Sequence, residues 1–123
     1  MSICSPNAVN EEAFLYYPQL EQLHKFCQEN FQQNISLQDA ADICRFERTY
    51  FCTYFHVKVG VCFKCWLGIL RVTHAKRLLK TNNQTITNIA YDAGFSSLSS
   101  FERTFKRSTG MTPMGYKQLM KPS

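Results

Sequence analysis

Residues that loosen a fold are scarce in this sequence, and so are long hydrophobic runs. Only four prolines and five glycines occur among the 123 residues, and they are scattered. This composition excludes a fibrous or low-complexity chain. No stretch reaches the roughly 18 consecutive apolar residues that a membrane-spanning helix needs, and no apolar leader follows a basic start. We therefore expect one folded unit in the cytoplasm, without a membrane partner.

Signatures of catalysis are also missing. The sequence has no glycine-rich phosphate loop, no catalytic grouping of Ser, His and Asp, and no paired carboxylates. Its three histidines, His24, His56 and His74, fall on different predicted helices. We therefore expect neither an enzyme nor a bound cofactor.

Acidic residues are nearly absent from the second half of the chain. Residues 61–123 carry ten Lys and Arg but only two Asp and Glu, whereas residues 1–60 carry four basic and seven acidic residues. A region with this excess of positive charge either binds a polyanion or is an ordinary solvated surface. Charge alone does not decide between the two.

The cysteines form the one constellation that suggests metal or redox chemistry. The six are Cys4, Cys27, Cys44, Cys52, Cys62 and Cys65. Without an export signal, and in a chain able to form a core, they are expected to be reduced thiols. Cys62 and Cys65 supply two zinc ligands, but His56 and His74 would have to complete a site. We expect no metal here. Cys62 and Cys65 are expected to be ordinary residues at a helix start, and a redox switch is the alternative.

Apolar residues recur at spacings of three and four, which predicts an all-α fold of about seven helices. The predicted helices span residues 18–31, 37–43, 48–56, 63–80, 86–93, 97–108 and 113–120. Their starts are marked by Pro18, Ser36, Thr85, Ser96 and Pro113, and two of their ends by Gly60 and Gly110. Two similar units, each a short helix, a turn and a longer helix, thus flank one long connecting helix.

An internal repeat supports this organisation. Phe51, Phe55, Gly60 and Trp66 lie fifty residues before Phe101, Phe105, Gly110 and Tyr116. In each unit the two phenylalanines share a helix face, which we expect to be buried. The opposite face is free for a partner, as in a helix-turn-helix whose second, recognition helix enters a DNA major groove. We divide the chain into a tail (1–17), a first subdomain (18–62), a linker helix (63–80) and a second subdomain (81–123).

The segment AKRLLKTNNQTITNIAYDAGFSSLSSFERTFKRSTGMTP, from Ala75 to Pro113, resembles the DNA-binding domain of the AraC/XylS family of bacterial transcription regulators. The shared features are the Ile-x-x-Ile-Ala run, the Gly-Phe turn, the Phe-x-Arg-x-Phe-Lys helix and the Gly-Met-Thr-Pro end. ENFQQNISLQDAAD, from Glu29, resembles the family's first helix-turn-helix less tightly. The resemblance implies sequence-specific binding of double-stranded DNA and control of transcription, as an activator, with RNA polymerase as a further partner.

The family's usual companion, a sensory or dimerisation domain, has no room before the resembling segment. We therefore expect a small stand-alone member that binds DNA as a monomer and is associated with the nucleoid. A DNA-binding fragment of a larger effector-responsive regulator is one alternative. A helical protein-interaction module, whose basic face docks an acidic protein, is the competing class.

Three positions depart from the family pattern. Arg45 stands where the family usually has the turn glycine, so a non-glycine residue is expected at positive φ. Glu47 stands where the first unit usually has a serine N-cap. Leu98 replaces a polar residue in the second unit, and it either joins the core or packs against a thymine methyl group.

On the second recognition helix, helical periodicity turns Ser99, Glu102, Arg103 and Lys106 outward. Arg103 can donate to guanine O6 and N7, Glu102 can accept from cytosine N4, and Ser99 can do either. On the first recognition helix the same geometry exposes smaller side chains, which discriminate less between bases. The candidate base readers are Thr49, Cys52, Thr53, Ser97, Leu98, Ser99, Glu102 and Arg103.

Basic side chains on both recognition helices and on the connecting helix are candidate phosphate contacts. They are Arg48, His56, Arg71, Lys76, Arg77, Lys80, Lys106 and Arg107. For each of them the alternative is a solvated surface charge. The connecting helix would span about 27 Å, and successive major grooves on one face of DNA are about 34 Å apart, so one chain could reach two adjacent grooves.

Overall fold

The computed structural model describes residues 8–81 and 84–120, and every regular element in these ranges is an α-helix. The helices are α1 (Ala13–Tyr16), α2 (Pro18–Asn30), α3 (Leu37–Cys44), α4 (Arg48–Val59), α5 (Phe63–Thr81), α6 (Ile86–Asp92), α7 (Leu98–Thr109) and α8 (Pro113–Met120). The predicted all-α class is confirmed. The seven predicted helices correspond to α2 to α8, and Cys4 lies outside the described residues.

Helix α1 is the element that sequence periodicity does not predict. It lies within the expected tail, yet Ala13 and Phe14 are buried. The Phe14 ring lies 5.0 Å from the ring of Trp66 and 6.1 Å from that of Phe55, between centroids. Part of the expected tail therefore packs onto the core of the first unit.

Side-chain caps set the helix starts, mostly where the sequence predicts them. Ser36 Oγ accepts from the amide of Asp39 at 3.0 Å, and an Asp39 carboxylate oxygen accepts from the Ser36 amide at 3.1 Å, which forms a capping box. Thr85 caps α6 as predicted. The expected cap at Ser96 is wrong by one residue, because the extended residue Ser97 places its hydroxyl 3.1 Å from the amide of Ser100.

The fifty-residue repeat is a repeat of structure. Phe51, Phe55, Phe101 and Phe105 are each 0% exposed, and Trp66 and Tyr116 are also buried. Gly60 and Gly110 both end their helices in the left-handed conformation, with φ of 99° and 79°. Helix α4 runs three residues past its predicted end at His56 and stops only at this glycine. The two units therefore have equivalent core residues and equivalent helix ends, each in its own core.

Helix α5 belongs to both cores. Its first half, including Phe63 and Trp66, is buried with α1 to α4, and its second half, including Val72 and Leu79, is buried with α6 to α8. No helix in the described part of the chain is both long and apolar enough to cross a membrane. Helix α5 is thus an integral part of each unit as well as the connection between them.

The loop after α2 reaches from the first unit onto α5. The ring of Phe31 stacks on that of His74, with centroids 3.7 Å apart and planes at 9°. Arg71 donates from Nε to the carbonyl of Phe31 at 3.0 Å and from Nη2 to that of Gln33 at 2.9 Å. Burial, and secondarily the charge of Arg77, lowers the pKa of His74. The loop is therefore held by a stacked ring pair and two charge-assisted hydrogen bonds.

The same loop also meets the turn of the second unit. Gln32 donates from Nε2 to the carbonyl of Asp92 at 2.8 Å. A Cβ atom on Gly94 would lie 2.4 Å from the carbonyl oxygen of Phe31, which is closer than such atoms approach. Glycine is thus required there for close packing as well as for its φ of +99°. We refer to Phe31, Gln32, Arg71, His74 and Gly94 together as the inter-unit clasp.

The cysteines differ in their environments. Cys27 and Cys44 are buried free thiols, and burial raises their pKa to about 12 and about 11. Cys52 and Cys62 are partly exposed free thiols. Cys65 is disulfide-bonded, so the expectation that all six cysteines are reduced is wrong at this residue.

Candidate nucleic-acid interface

The turns that present the two recognition helices, α4 and α7, have the same geometry. In each turn an amide donates back to α3 or α6, from Phe46 to the Ala41 carbonyl at 2.9 Å and from Phe95 to the Ala90 carbonyl at 3.0 Å. Gly94 has a φ of 99°, and Arg45 has a φ of 60°. The expected positive φ at Arg45 is confirmed. An arginine thus adopts a left-handed conformation at the turn where the second unit has Gly94.

The missing serine at the start of α4 is replaced by a carboxylate cap. Glu47 accepts hydrogen bonds from the amides of Thr49 at 2.9 Å and Tyr50 at 3.1 Å, through its two oxygens. These backbone hydrogen bonds lower the pKa of Glu47. A negative charge also interacts favourably with a helix N-terminus. Despite the departure at Glu47, the first recognition helix therefore has a side-chain N-cap.

The outer face of α7 carries the residues that helical periodicity predicts. Ser99, Glu102, Arg103 and Lys106 are all exposed. Ser97 is occupied with capping, and Leu98 is partly buried against the second core, as one of its two expected placements requires. Four open polar side chains therefore remain on this face for a partner.

The outer face of α4 is smaller and less polar. Thr49, Thr53 and His56 are exposed, and Cys52 is partly exposed. Arg48 is exposed in the first turn of the helix. Apart from Arg48, this face offers hydroxyl, methyl, thiol and imidazole groups and no side chain with the paired donors of Arg103.

A tyrosine-rich flank on α4 was missed by the sequence reasoning. Tyr54 lies 4.8 Å from Phe46 and 5.9 Å from Tyr17, between ring centroids. Lys58 Nζ lies 5.0 Å from the Tyr17 centroid and 5.9 Å from that of Tyr54, within the range of a cation–π contact. Tyr50, in the same row, is exposed. The four-residue spacing of these three α4 residues was the available signal.

The basic residues of α5 fall into two groups. Arg71 is partly buried and is committed to two loop carbonyls of the inter-unit clasp, which argues against a free phosphate contact. Arg77 and Lys80 are exposed, and Lys76 is partly exposed. Lys106 and Arg107 of α7 are also exposed.

The basic side chains lack acidic partners. Within residues 8–81 and 84–120, no Lys or Arg forms an ion pair with a carboxylate. The positive charge of these faces is therefore not neutralised internally and is available to an anion.

A zinc site at Cys62 and Cys65 finds no support. In the described part of the chain, no three His, Cys, Asp or Glu side chains lie close enough together to hold a metal ion. Of the two histidines required to complete such a site, His74 is stacked on Phe31.

A family model described as "Helix-turn-helix domain" matches residues 40–119. The chain is 30% identical over 113 residues to the melibiose operon regulatory protein of Escherichia coli strain K12, covering 92% of this chain and 36% of that protein. It is 32% identical over 108 residues to an uncharacterized HTH-type transcriptional regulator of Staphylococcus aureus strain MSSA476, covering 88% of this chain and 14% of that protein. The chain thus spans only a minor part of these relatives.

Among solved structures, the fold matches the DNA-binding domain of AdpA, a global transcriptional factor, crystallised with a target DNA. The TM-score is 0.77 at 25% sequence identity, and the match covers 83% of this chain and 91% of that domain. The correspondence includes almost the whole of a domain seen on DNA.

Proposed function

This chain belongs to the AraC-type helix-turn-helix domain family, and from that premise we propose that it is a sequence-specific DNA-binding transcription regulator. The relatives of this fold are transcription regulators, and we assign the chain no catalytic role. In this proposal α4 and α7 enter adjacent major grooves on one face of the duplex. Residues 18–62 and 81–123 act as its two binding subdomains, joined by the helix of residues 63–80.

The observation that carries the proposal is the repeat of one presentation geometry at the two ends of α5. Each recognition helix is preceded by a left-handed turn, begins at a side-chain cap and ends at a left-handed glycine. Helix α5 has 19 residues, or about 28 Å at 1.5 Å per residue. This length is comparable with the roughly 34 Å that separates successive major grooves on one face of DNA.

The two recognition helices would contribute unequally to sequence reading. Arg103 and Glu102 carry groups that pair with base edges, whereas Thr53 and Cys52, at the same repeat positions, offer weaker discrimination. We therefore assign most base reading to α7 and mainly shape and backbone contacts to α4. Arg48, His56, Lys76, Arg77, Lys80, Lys106 and Arg107 are the proposed phosphate contacts.

We further propose that the regulator binds DNA as a monomer, activates transcription, contacts RNA polymerase and is associated with the nucleoid. Monomeric binding is favoured because one chain already holds two recognition helices. The named relatives are much longer than this chain, so these properties are assigned to the regulator as a whole.

The test is DNA binding measured as a function of salt, followed by footprinting on genomic fragments. We expect the affinity to fall steeply with salt, because each phosphate contact contributes about 0.9 to the log–log slope. The footprint should cover two adjacent major-groove segments within about two helical turns. A flat salt dependence, or protection of a palindrome by a symmetric dimer, would contradict the proposal. If an acidic protein is still captured after nuclease treatment, the interaction-module alternative is favoured.

A further inference from the structure

A cleft lies between the connecting helix α5 and the second recognition helix α7. It has a volume of about 290 Å³ and is lined on one side by Lys64 and Arg71 and on the other by Ser100, Thr104, Arg107 and Ser108. None of its lining residues is acidic. The cleft thus combines three cationic side chains with three hydroxyl groups.

Beside the cleft, α5 and α7 touch through small residues. A Cβ atom on Gly68 would lie 3.1 Å from the Thr104 methyl carbon, so the helix backbones approach closely at this point. About one turn further along α5, the Arg71 side chain lies beside Gly94, which precedes α7. The two helices therefore run in opposite directions.

This antiparallel packing places the cationic side chains at both ends of the contact. Lys64, one turn before Gly68, lies toward the C-terminal half of α7, where Arg107 and Ser108 are found. Arg71 lies toward the N-terminal half. One end of the cleft therefore combines an ammonium group, a guanidinium group and a hydroxyl group.

The polar groups at that end have no partner within the described structure. Lys64 and Arg107 are exposed and form neither an ion pair nor a side-chain hydrogen bond. The hydroxyl oxygen of Ser108 is buried and has no hydrogen-bond partner. A buried polar atom without a partner is unusual in a folded protein. Cations and hydroxyl donors together are the groups that recognise phosphate oxygens.

The position of the cleft relative to α7 suggests how a phosphate would reach it. Helical periodicity places Arg107 on the flank adjacent to Arg103 and Ser99, on the outer face. The cleft therefore opens beside the face that the proposed function assigns to the major groove. A strand that leaves this groove toward the first unit would pass the cleft.

We propose that this cleft is a phosphate-binding site formed by Lys64, Arg107 and Ser108, and that a DNA backbone phosphate between the two grooves occupies it. The second part of the proposal rests on the proposed function. The first does not, because a free phosphorylated small molecule presents the same oxygens. In this site the positive charges of Lys64 and Arg107 attract the negatively charged phosphate, and the Ser108 hydroxyl donates one hydrogen bond to a phosphate oxygen.

The DNA arm of the test compares Lys64→Gln with Lys25→Gln. Both lysines are exposed on helices, and Lys25 lines no described cleft, so the two variants lose the same charge in different places. Lys64→Gln should reduce the log–log salt slope by about 0.9, the contribution of one phosphate. Lys25→Gln should leave the slope unchanged. Melting curves for both variants exclude an effect through folding.

The second arm uses inorganic phosphate without DNA, at constant ionic strength with chloride as the reference. Phosphate should shift the amide resonances of Gly68 and Ser108 in the wild type, and Lys64→Gln should weaken this response. If phosphate perturbs the cleft but the DNA salt slope does not change, a free phosphorylated ligand is its occupant. If the wild type fails to bind any DNA but phosphate still perturbs the cleft, the site stands and the proposed function fails. No response to phosphate together with an unchanged salt slope would overturn the site itself.

Discussion

The flanks of α4 and α7 show how two copies of one motif can be completed by different neighbours. Tyr50, Tyr54 and Lys58 of α4 occupy the repeat positions of Ser100, Thr104 and Ser108 of α7. In the second unit this row faces α5, and Thr104 meets Gly68. In the first unit it meets Tyr17 instead. The flank of α7 thus has small side chains where it packs against α5. The flank of α4 has larger side chains, and Tyr54 and Lys58 among them contact Tyr17.

This comparison separates what the repeat requires from what each neighbour decides. Both units keep the phenylalanine pair, the left-handed turn and the glycine helix end. The flank and the outer face differ between them. The conserved geometry within the chain therefore presents the helices, while the variable positions determine what each helix contacts.

The largest effect should come from the phenylalanine pair that the two units share. Phe105→Ala should lower the free energy of unfolding by about 3–5 kcal/mol, because it removes a fully buried ring. Phe55→Ala should do the same in the first core. Arg103→Ala, on the exposed face, should stay within about 0.5 kcal/mol of the wild type. Thermal or urea unfolding measures all three; an Arg103→Ala loss as large as that of Phe105→Ala would contradict the assignment of the α7 faces.

The turn glycine of the second unit should be the next most sensitive position. Gly94→Ala should cost about 2–4 kcal/mol, since the new Cβ adds left-handed strain and a clash with the Phe31 carbonyl. Gly110→Ala is the matched control, because Gly110 also has a positive φ but no atom within 4 Å of an added Cβ. Urea unfolding should therefore give a larger loss for Gly94→Ala. Equal losses would mean that the clasp does not constrain the turn.

The outer faces should differ in DNA binding. Arg103→Ala should weaken binding by about 1–3 kcal/mol and relax base preference in one half of the site, whereas Thr53→Ala should cost less. Titration with operator variants, combined with footprinting, measures both. A larger loss from Thr53→Ala would reverse the proposed division of labour between α7 and α4.

Arg45→Gly at the first turn should raise the stability of the fold, whereas Gly94→Ala at the second turn should lower it. Arg45→Gly should raise the free energy of unfolding by about 0.5–1 kcal/mol, because glycine adopts a φ of 60° without the strain that arginine pays there. Arg45→Ala, which keeps a Cβ at the same φ, is the control and should give no such gain. Urea unfolding at fixed pH distinguishes them. Destabilisation by Arg45→Gly would show that the arginine side chain itself contributes at this turn.

The smallest effect should come from His74, the histidine of the clasp. Because burial lowers the pKa of His74 below its ordinary value of 6.5, protons bind the unfolded chain more readily than the folded one. Stability is therefore lost as the pH falls through 6.5 toward the lowered pKa of the folded protein. His74→Phe keeps a ring on Phe31 and should reduce the loss of stability between about pH 7.5 and 5, relative to the wild type. An unchanged pH dependence of urea unfolding would show that His74 does not contribute.

The parts of the fold that sequence could predict are those governed by local rules. Spacings of three and four identify α2 to α8, and the caps Ser36 and Thr85 lie where the sequence indicates. Helix α1 has four residues, which is too short to establish a helical period. Ser96 and Ser97 are adjacent and chemically identical, so only the backbone conformation shows that Ser97 is the cap.

The parts of the candidate site that sequence could not predict depend on distant contacts. The exposed residues of α7 follow from periodicity, because that helix packs on one side only. By sequence alone Arg71 is indistinguishable from a surface cation, because its partners lie 38 and 40 residues away in a loop. The flank of α4 depends on Tyr17, the residue between α1 and α2. Tertiary neighbours, not local pattern, assign these roles.

The inter-unit clasp affects the proposed strength of DNA binding, because it links the two units whose recognition helices would contact DNA. Gln32 and Arg71 attach the first unit's loop to the second unit's turn and to α5, so the clasp links the two units by contacts beyond their shared helix. In the proposed binding mode, α4 would be held at a high effective concentration near the neighbouring groove once α7 has bound DNA. Such linkage can raise overall avidity by about 10²–10⁴ over either contact alone. In this proposed mode α4, although it reads bases weakly, would prolong residence on DNA, because the linkage lowers the entropic cost of its association.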